Sequence, residues 1–305
     1  MPVYAIELED VRKSFGSVRA VDGLSIRVPQ GAVYGFLGPN GAGKTTTLRM
    51  IMDIIRPDSG AIRMLGEPAS SAARGRVGYM PEERGLYRKM TAAAVLRYFG
   101  SLRGMTAEQL GQRVPAWLKR IDLAGYANKK VEELSRGMHQ KLQFAVTVIH
   151  DPQLVILDEP FSGLDPVNQD VLREIIDEMR SAGRTVLFST HGMHEAEQLC
   201  DFIVLIDKGR VVVDGTLEQI RAGHESRMVS LDLEGDVDWV ARLPQVASIR
   251  RDGGRLDVTL REGADPQDLL RTLVERSQVR AFEIKQPSLH EIFVRLVGGG
   301  HVEDR

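Results

Sequence analysis

The sequence is poor in several things that would direct the search for a function. It has one cysteine, Cys200, in 305 residues. No intramolecular disulfide can form, a four-thiolate zinc site is excluded, and a reducing compartment is expected. It has no charge excess, with 40 Lys and Arg against 42 Asp and Glu. From residue 226 onward there are 12 basic and 14 acidic residues, and before it 28 of each. Bulk charge therefore offers neither half a reason to bind nucleic acid or acidic lipid. Long apolar runs are missing too. The longest uncharged stretch is Val28 to Gly43, and its five glycines and two prolines make it a glycine-rich loop region, not a membrane span. MPVYAIELED at the start lacks a basic segment followed by an apolar one, so no secretory signal is expected. With 43% hydrophobic residues the chain is expected to fold, and its length suits one large domain or two modest ones.

Glycine is in excess, 30 residues or about 10% against a typical ~7%. Apolar runs at 3–8, 25–37, 61–65, 154–157 and 185–190 read as strands, with a hairpin over 202–206 and 210–215. Helical patterns cover 44–55, 91–103, 106–121, 136–150, 167–182 and 192–200. Alternating strands and helices predict an α/β architecture with a largely parallel sheet. RAGHES at 221–226 reads as a linker. Beyond it, strands at 228–234, 247–251, 256–260 and 279–285 and helices near 236–243 and 266–277 follow the order β-α-β-β-α-β, the ferredoxin-like pattern.

The most specific local signal is Gly38-Pro39-Asn40-Gly41-Ala42-Gly43-Lys44-Thr45, which fits G-x-x-x-x-G-K-[ST] between an apolar strand and a helix. Glycines let successive N–H groups turn inward on an anion, and the helix dipole favours phosphate at the same place. Lys44 can reach the β- and γ-phosphates, and the Thr45 hydroxyl can ligate Mg²⁺; Thr46 follows on the same turn. Chance alone would put such a match in about one chain in a hundred of this size. LVILDEP, 154–160, sets two carboxylates at the C-terminal end of an apolar strand, where open α/β sheets bind ligands. Asp158 can hold Mg²⁺, and Glu159 can orient or deprotonate an attacking water. By itself this is also how an ordinary strand ends in solvated acids; beside a phosphate loop it gains a chemical reading.

LSRGMHQKLQFA, 134–145, reads locally as an amphipathic helix capped by Ser135, which lies 23 residues before Asp158. It resembles the LSGGQ signature of the ATP-binding cassette (ABC) proteins. In that family the Ser hydroxyl and Gly amide of one subunit grip the γ-phosphate held by another, a role the resemblance assigns to Ser135 and Gly137. Other family motifs follow in order over about residues 3–222. Phe15, otherwise a hydrophobic position near a strand, resembles the aromatic that stacks on adenine. SGLD at 162–165, otherwise a turn before Pro166, resembles the D-loop and sets Asp165 near the dimer interface. His191, otherwise a strand-end histidine, lies 33 residues after Asp158 and resembles the switch histidine at the γ-phosphate.

Two departures stand out. Glu82 in VGYMPEERGLY occupies the place of the family's Gln; it can ligate Mg²⁺ but cannot donate a hydrogen bond and adds negative charge. Arg136 and Met138 replace the usual Gly and Gln of the signature. PEERGLY, LSRGMHQKLQF and PSLHEIFVRL (287–296) are similar to the sodium-extrusion and drug-resistance branch of bacterial exporter ATP-binding subunits.

The resemblance implies a P-loop NTPase ABC cassette over 1–222, with an antiparallel β subdomain and a helical subdomain, and a small α+β domain over 226–297. It implies ATP and Mg²⁺ as ligands and a homodimer or paired cassette closing head to tail on two ATP. It further implies catalysis by Lys44, Glu159 and His191, a membrane permease on a separate chain, and a peripheral place on the cytoplasmic face of the inner or plasma membrane. Two rival functions remain at this point. One is a soluble ABC ATPase acting on ribosomes or DNA, against which stand the single phosphate loop, the lack of a coiled-coil insertion and the balanced charge. The other makes the C-terminal domain a ligand sensor, where the plainer alternative is that it extends the dimer interface.

Overall fold

The computed structural model describes residues 3–69, 75–83, 85–223, 228–235, 237–252 and 255–298. The chain divides into two compact units, Met1–Leu217 and Glu218–Arg305.

The first unit opens on a long hairpin, β1 (Tyr4–Phe15) and β2 (Val18–Pro29), paired antiparallel from Tyr4↔Pro29 to Phe15↔Val18. With β4 (Ser59–Met64) and β5 (Glu67–Pro68) it forms a sheet ordered β2-β1-β4-β5. This corrects two expectations. The strands run past residue 8 because the charges of Glu9, Asp10 and Arg12 lie exposed on an antiparallel sheet with one wet face. Register shifts between Leu8 and Val11 and between Val11 and Arg12 hide the alternation that would have revealed them. Residues 25–37 are two strands, not one: the chain turns after Pro29 at Gly31 (φ 75°), and β3 (Val33–Leu37) enters a second sheet.

That second sheet is ordered β10-β9-β3-β8-β7-β6. It comprises β3, β6 (Val77–Met80), β7 (Leu154–Asp158), β8 (Thr185–Thr190), β9 (Phe202–Asp207) and β10 (Arg210–Gly215). All pairings are parallel except β9–β10. β6 was not expected, because four residues including Gly78 carry too little periodicity. The central strands β3, β7 and β8 are buried along their whole length, as sheets covered on both faces require. Alternate residues of β7 enter different cores: Val155 and Leu157 join one cluster with Leu142, Phe144 and Phe188, and Leu154 and Ile156 join another with Phe36 and Leu48.

The helices of this unit are α1 (Lys44–Ile51), α2 (Ala92–Leu102), α3 (Ala107–Arg120), α4 (Arg136–Val148), α5 (Pro166–Ser181) and α6 (Met193–Leu199). α7 (Leu217–Ala222) follows. α1 is shorter than the expected 44–55, since Asp53 turns left-handed (φ 53°) and ends it. Leu37 pairs with Thr190 and Asp158 with Ser189, so β3, β7 and β8 end level. The loops that follow these ends, at 38–43, 159–165 and 191–192, meet at the C-terminal edge of a parallel sheet, the place where such sheets bind ligands.

Behind α4, burial and the nearby Arg103 guanidinium push the His150 imidazole down to about 4. An unfolded histidine titrates near 6.5, so between about pH 6.5 and 4 the unfolded chain holds the extra proton. Stability from this group is therefore lost as pH falls through that window. We expect the thermal midpoint to drop between pH 6.5 and 4.5, and to drop less in His150→Phe. Parallel curves for the two proteins would refute it.

In the second unit, β11 (Met228–Leu233), β12 (Val246–Asp252), β13 (Arg255–Leu260) and β14 (Val279–Lys285) form a sheet ordered β12-β13-β11-β14. All three pairings are antiparallel. Each crossover thus spans one strand laid antiparallel between its ends. α8 (Pro266–Arg276), capped by Asp265, and a 3₁₀ helix (Asp238–Arg242) cover one face, and α9 (Leu289–Gly298) ends the unit. The expected helix near 236–243 is this short 3₁₀ turn, with Asp236 outside the described residues. The core is Val229, Leu231, Val258, Leu269, Leu273 and their neighbours. Of the expected linker, residues 224–226 lie outside the described residues.

Candidate nucleotide site

Where β3 ends, the chain wraps a loop and enters α1 without any side-chain cap. The first amides of a helix have no partners inside it, so these donors remain for an anion. Gly43 makes the turn possible: its φ is 104°, and a Cβ there would lie 2.4 Å from the Ala20 carbonyl oxygen. Ala42 N–H donates to the Pro39 carbonyl at 3.2 Å, and Gly209 N–H donates to the Ala42 carbonyl at 2.9 Å, which fixes the loop. The Lys44 ammonium folds back across it, donating to the carbonyls of Gly38 (2.7 Å) and Pro39 (3.2 Å).

A cavity of about 460 Å³ opens over this loop, within the size range of small-molecule sites. Loop residues Pro39, Asn40, Gly41, Gly43 and Lys44 line it together with Thr45 and Thr46 at the start of α1. Glu82, Glu159 and His191 complete its wall, each from a separate segment. Phosphate-loop, acidic and histidine residues singled out in the sequence are thereby brought to one place. Gly38 sits tightly against β9, where a Cβ would lie 2.4 Å from the Ile206 carbonyl oxygen, and Ala42 is buried.

Glu159 is buried and left-handed (φ 51°), a costly conformation for a side chain of this kind. Its N–H donates to the Ser189 carbonyl (3.1 Å) and contacts Ser189 Oγ (3.2 Å). Its carboxylate lies 3.0 and 3.1 Å from His191 Nδ1 and 3.7 Å from Lys44 Nζ. A carboxylate only accepts, so this contact requires a proton on Nδ1.

Asp158 is fully buried. Its Oδ1 accepts the Ser189 hydroxyl at 2.5 Å, while Oδ2 is buried with no hydrogen-bond partner among the described residues. An unsatisfied carboxylate oxygen beside a phosphate loop suits a divalent cation or a water bound to one. Thr45 and Glu82, which line the cavity, add oxygen donors of the same hard type, so this donor set fits Mg²⁺.

Seven expected residues do not line the cavity: Phe15, Gly38, Ala42, Ser135, Gly137, Asp158 and Asp165. Phe15 ends β1 half-exposed, with Lys13 Nζ 5.5 Å from its ring centre. Ser135 caps α4, accepting the Met138 N–H at 3.3 Å. Asp165 caps α5; the backbone and side-chain amides of Asn168 hold its carboxyl below the ordinary range. Ala20, which lines the cavity, and Ser189, which braces both acids, carry no sequence signal specific to the site. Ser162 lines the cavity as the first residue of SGLD, and Ser189 is the polar residue that follows the apolar VLF of TVLFST.

Known proteins share this arrangement. The ABC transporter family matches residues 21–162, and a second family, the C-terminal domain of DrrA1-3-like ATP-binding proteins, matches residues 215–297. YhaQ of Bacillus subtilis (strain 168), an uncharacterised ABC transporter ATP-binding protein, is 38% identical over 293 residues, covering 96% of this chain and 98% of the relative. Nod factor export ATP-binding protein I of Paraburkholderia xenovorans (strain LB400) is 37% identical over 302 residues, 98% of each chain. A solved ATP-binding subunit of an ABC transporter superposes with a TM-score of 0.68 at 32% identity, over 72% of this chain and 92% of the other. The phosphate loop, the paired acids on β7 and near full-length likeness to such subunits agree: this chain is an ATPase that belongs to the ABC transporter ATP-binding proteins, in the branch with a DrrA-like C-terminal domain.

Proposed function

We propose that this chain is the ATP-driven subunit of a bacterial exporter, acting on a membrane permease carried by a separate chain. The observation that carries the reading is its likeness, end to end and including the C-terminal domain, to an ATP-binding subunit of Nod factor export. In this reading the cassette occupies residues 1–222 and the smaller domain residues 226–297. In the same reading the subunit is peripheral, on the cytoplasmic face; among the described residues no helix is long and apolar enough to cross a membrane.

Two copies close head to tail on two ATP. The loop 38–46 holds the β- and γ-phosphates, and Phe15 stacks on adenine. Ser135 and Gly137 face the nucleotide of the other copy. A Cβ at Gly137 would meet Leu164 at 3.5 Å and Asn168 and the Gly163 carbonyl at 4.0 Å, all ordinary contacts, so the fold of one subunit does not demand glycine there; a phosphate approaching from another subunit does. Asp165 belongs to the same interface. Thr45, Glu82 and Asp158 would hold Mg²⁺, which when bound neutralises charge on the transferring phosphoryl group. Glu159 orients and deprotonates the attacking water, His191 holds the Glu159 carboxylate at that position, and Lys44 meets the developing charge.

Sedimentation of the purified chain tests this reading. Hydrolysis-blocked protein is expected to sediment as one chain without nucleotide and as two with saturating ATP. Where a neighbouring reading frame encodes a six-helix membrane protein, co-expression with it should bring the chain to the membrane fraction. A single-chain mass at saturating ATP would refute the sandwich, and an unchanged membrane fraction would refute the exporter.

A further inference from the structure

Two glutamines on α4 have no role in the reading above. Gln140 and Gln143 are three positions apart, so they share one face of the helix, and each is only 4% exposed. Both use the side-chain amide as a fork. Gln140 Nε2 donates to the carbonyls of Glu159 (3.3 Å) and Pro160 (3.0 Å). Gln143 Nε2 donates to the carbonyls of Pro81 (2.7 Å) and Glu83 (3.2 Å). All four partners are acceptors, so in each case only the NH₂ end can serve them.

What these forks hold is specific. Pro81 and Glu83 flank Glu82, so Gln143 grips the backbone on both sides of a cavity residue. Gln140 grips the carbonyl of Glu159 itself. Ser189 already takes the Glu159 N–H, so the left-handed peptide that aims this carboxylate is clamped from both ends. Both forks stand on the helix whose first residue follows Ser135. Gln143 lies eight positions beyond Ser135, about 12 Å along the axis at ~1.5 Å per residue. An α-helix transmits a displacement over that distance without bending appreciably.

We infer that Gln140 and Gln143 are positioning residues: through them the Ser135 end of α4 sets the aim of Glu159 and Glu82 in its own subunit. A force on Ser135 from the other copy's nucleotide reaches this copy's water-activating carboxylate through the Gln140 fork and Glu82 through the Gln143 fork. This rests on the roles proposed above for Glu159, Glu82 and Ser135.

The test uses the full chain and three measurements: steady-state kcat, equilibrium binding of a fluorescent ATP analogue, and the thermal midpoint. Leucine matches glutamine in size but donates nothing. Gln140→Leu is expected to lower kcat by about ten- to a hundredfold, as small misplacements of catalytic groups do, with nucleotide affinity within about twofold of wild type. Gln143→Leu is expected to lower kcat about tenfold in the wild-type background and less than about twofold in a Glu82→Ala background, because it acts through Glu82. Unchanged kcat, or kcat, affinity and thermal midpoint falling together, overturns the inference; so does an equal loss from Gln143→Leu in both backgrounds. Glu159→Gln run alongside separates the failures. If it stops turnover while the glutamine variants do not slow it, only the inference falls. If it does not, the reading of the site falls as well.

Discussion

Glu159→Gln is expected to bind ATP, stop turning over, and remain as a closed dimer. The substitution keeps the side chain's shape in a buried position and removes its capacity to take a proton. General-base catalysis contributes about 10²- to 10⁴-fold, so kcat should fall by that order. Binding should persist because the phosphate contacts come from the loop 38–46 and α1, which Glu159 does not build. Removing a negative charge 3.7 Å from Lys44 Nζ also frees that ammonium for phosphate. Phosphate release in a single turnover measures the loss, and size-exclusion chromatography with ATP shows the trapped dimer. Turnover within about tenfold of wild type would mean that another group activates the water.

Lys44→Met is expected to act at the earlier step. The ammonium makes two bonds to loop carbonyls, at 2.7 and 3.2 Å, and lies near Glu159. Met occupies similar space but removes the ammonium donor from both carbonyls, leaving Pro39 only its bond from the Ala42 N–H, and leaves the cavity without the Lys44 positive charge. Charge-assisted hydrogen bonds contribute about 1.5–3 kcal/mol each, so losing the contact to phosphate alone should weaken ATP about a hundredfold. Without nucleotide the fold should survive, since α1 and the two cores are otherwise intact. The readouts are titration with a fluorescent ATP analogue and loss of the rise in thermal midpoint that ATP produces in the wild type. Affinity within threefold of wild type would show that Lys44 only braces the loop. The two variants separate binding from chemistry: one binds and does not turn over, and the other scarcely binds.

How legible each feature is depends on how far apart its parts lie in the chain. The phosphate loop is contiguous, and its chemistry is backbone geometry, so eight consecutive residues announce it. Asp158 and Glu159 are visible because a buried strand ends on them. The glutamine forks are invisible for the opposite reason. Their partners are main-chain carbonyls about 20 and 60 residues away, and any residue type supplies a carbonyl. The hairpin of β1 and β2 was half-seen, because bulges break its alternation and its exposed charges look like loop. Asp22 accepts from Arg12, Arg19 and Arg210, a cluster joining β2 to β10 that no spacing could suggest.

The sequence alone determined the chemical class. A glycine-rich loop between a strand and a helix marks the phosphate site, and LSRGM, the paired acids and SGLD in order carry the family resemblance. Those are local properties, set by residue type and neighbours. Tertiary structure decided which residues share a wall, why Glu159 is left-handed, and which atom of Asp158 is left unsatisfied. Register across a parallel sheet and burial beneath it set these, and both depend on segments that are distant in sequence.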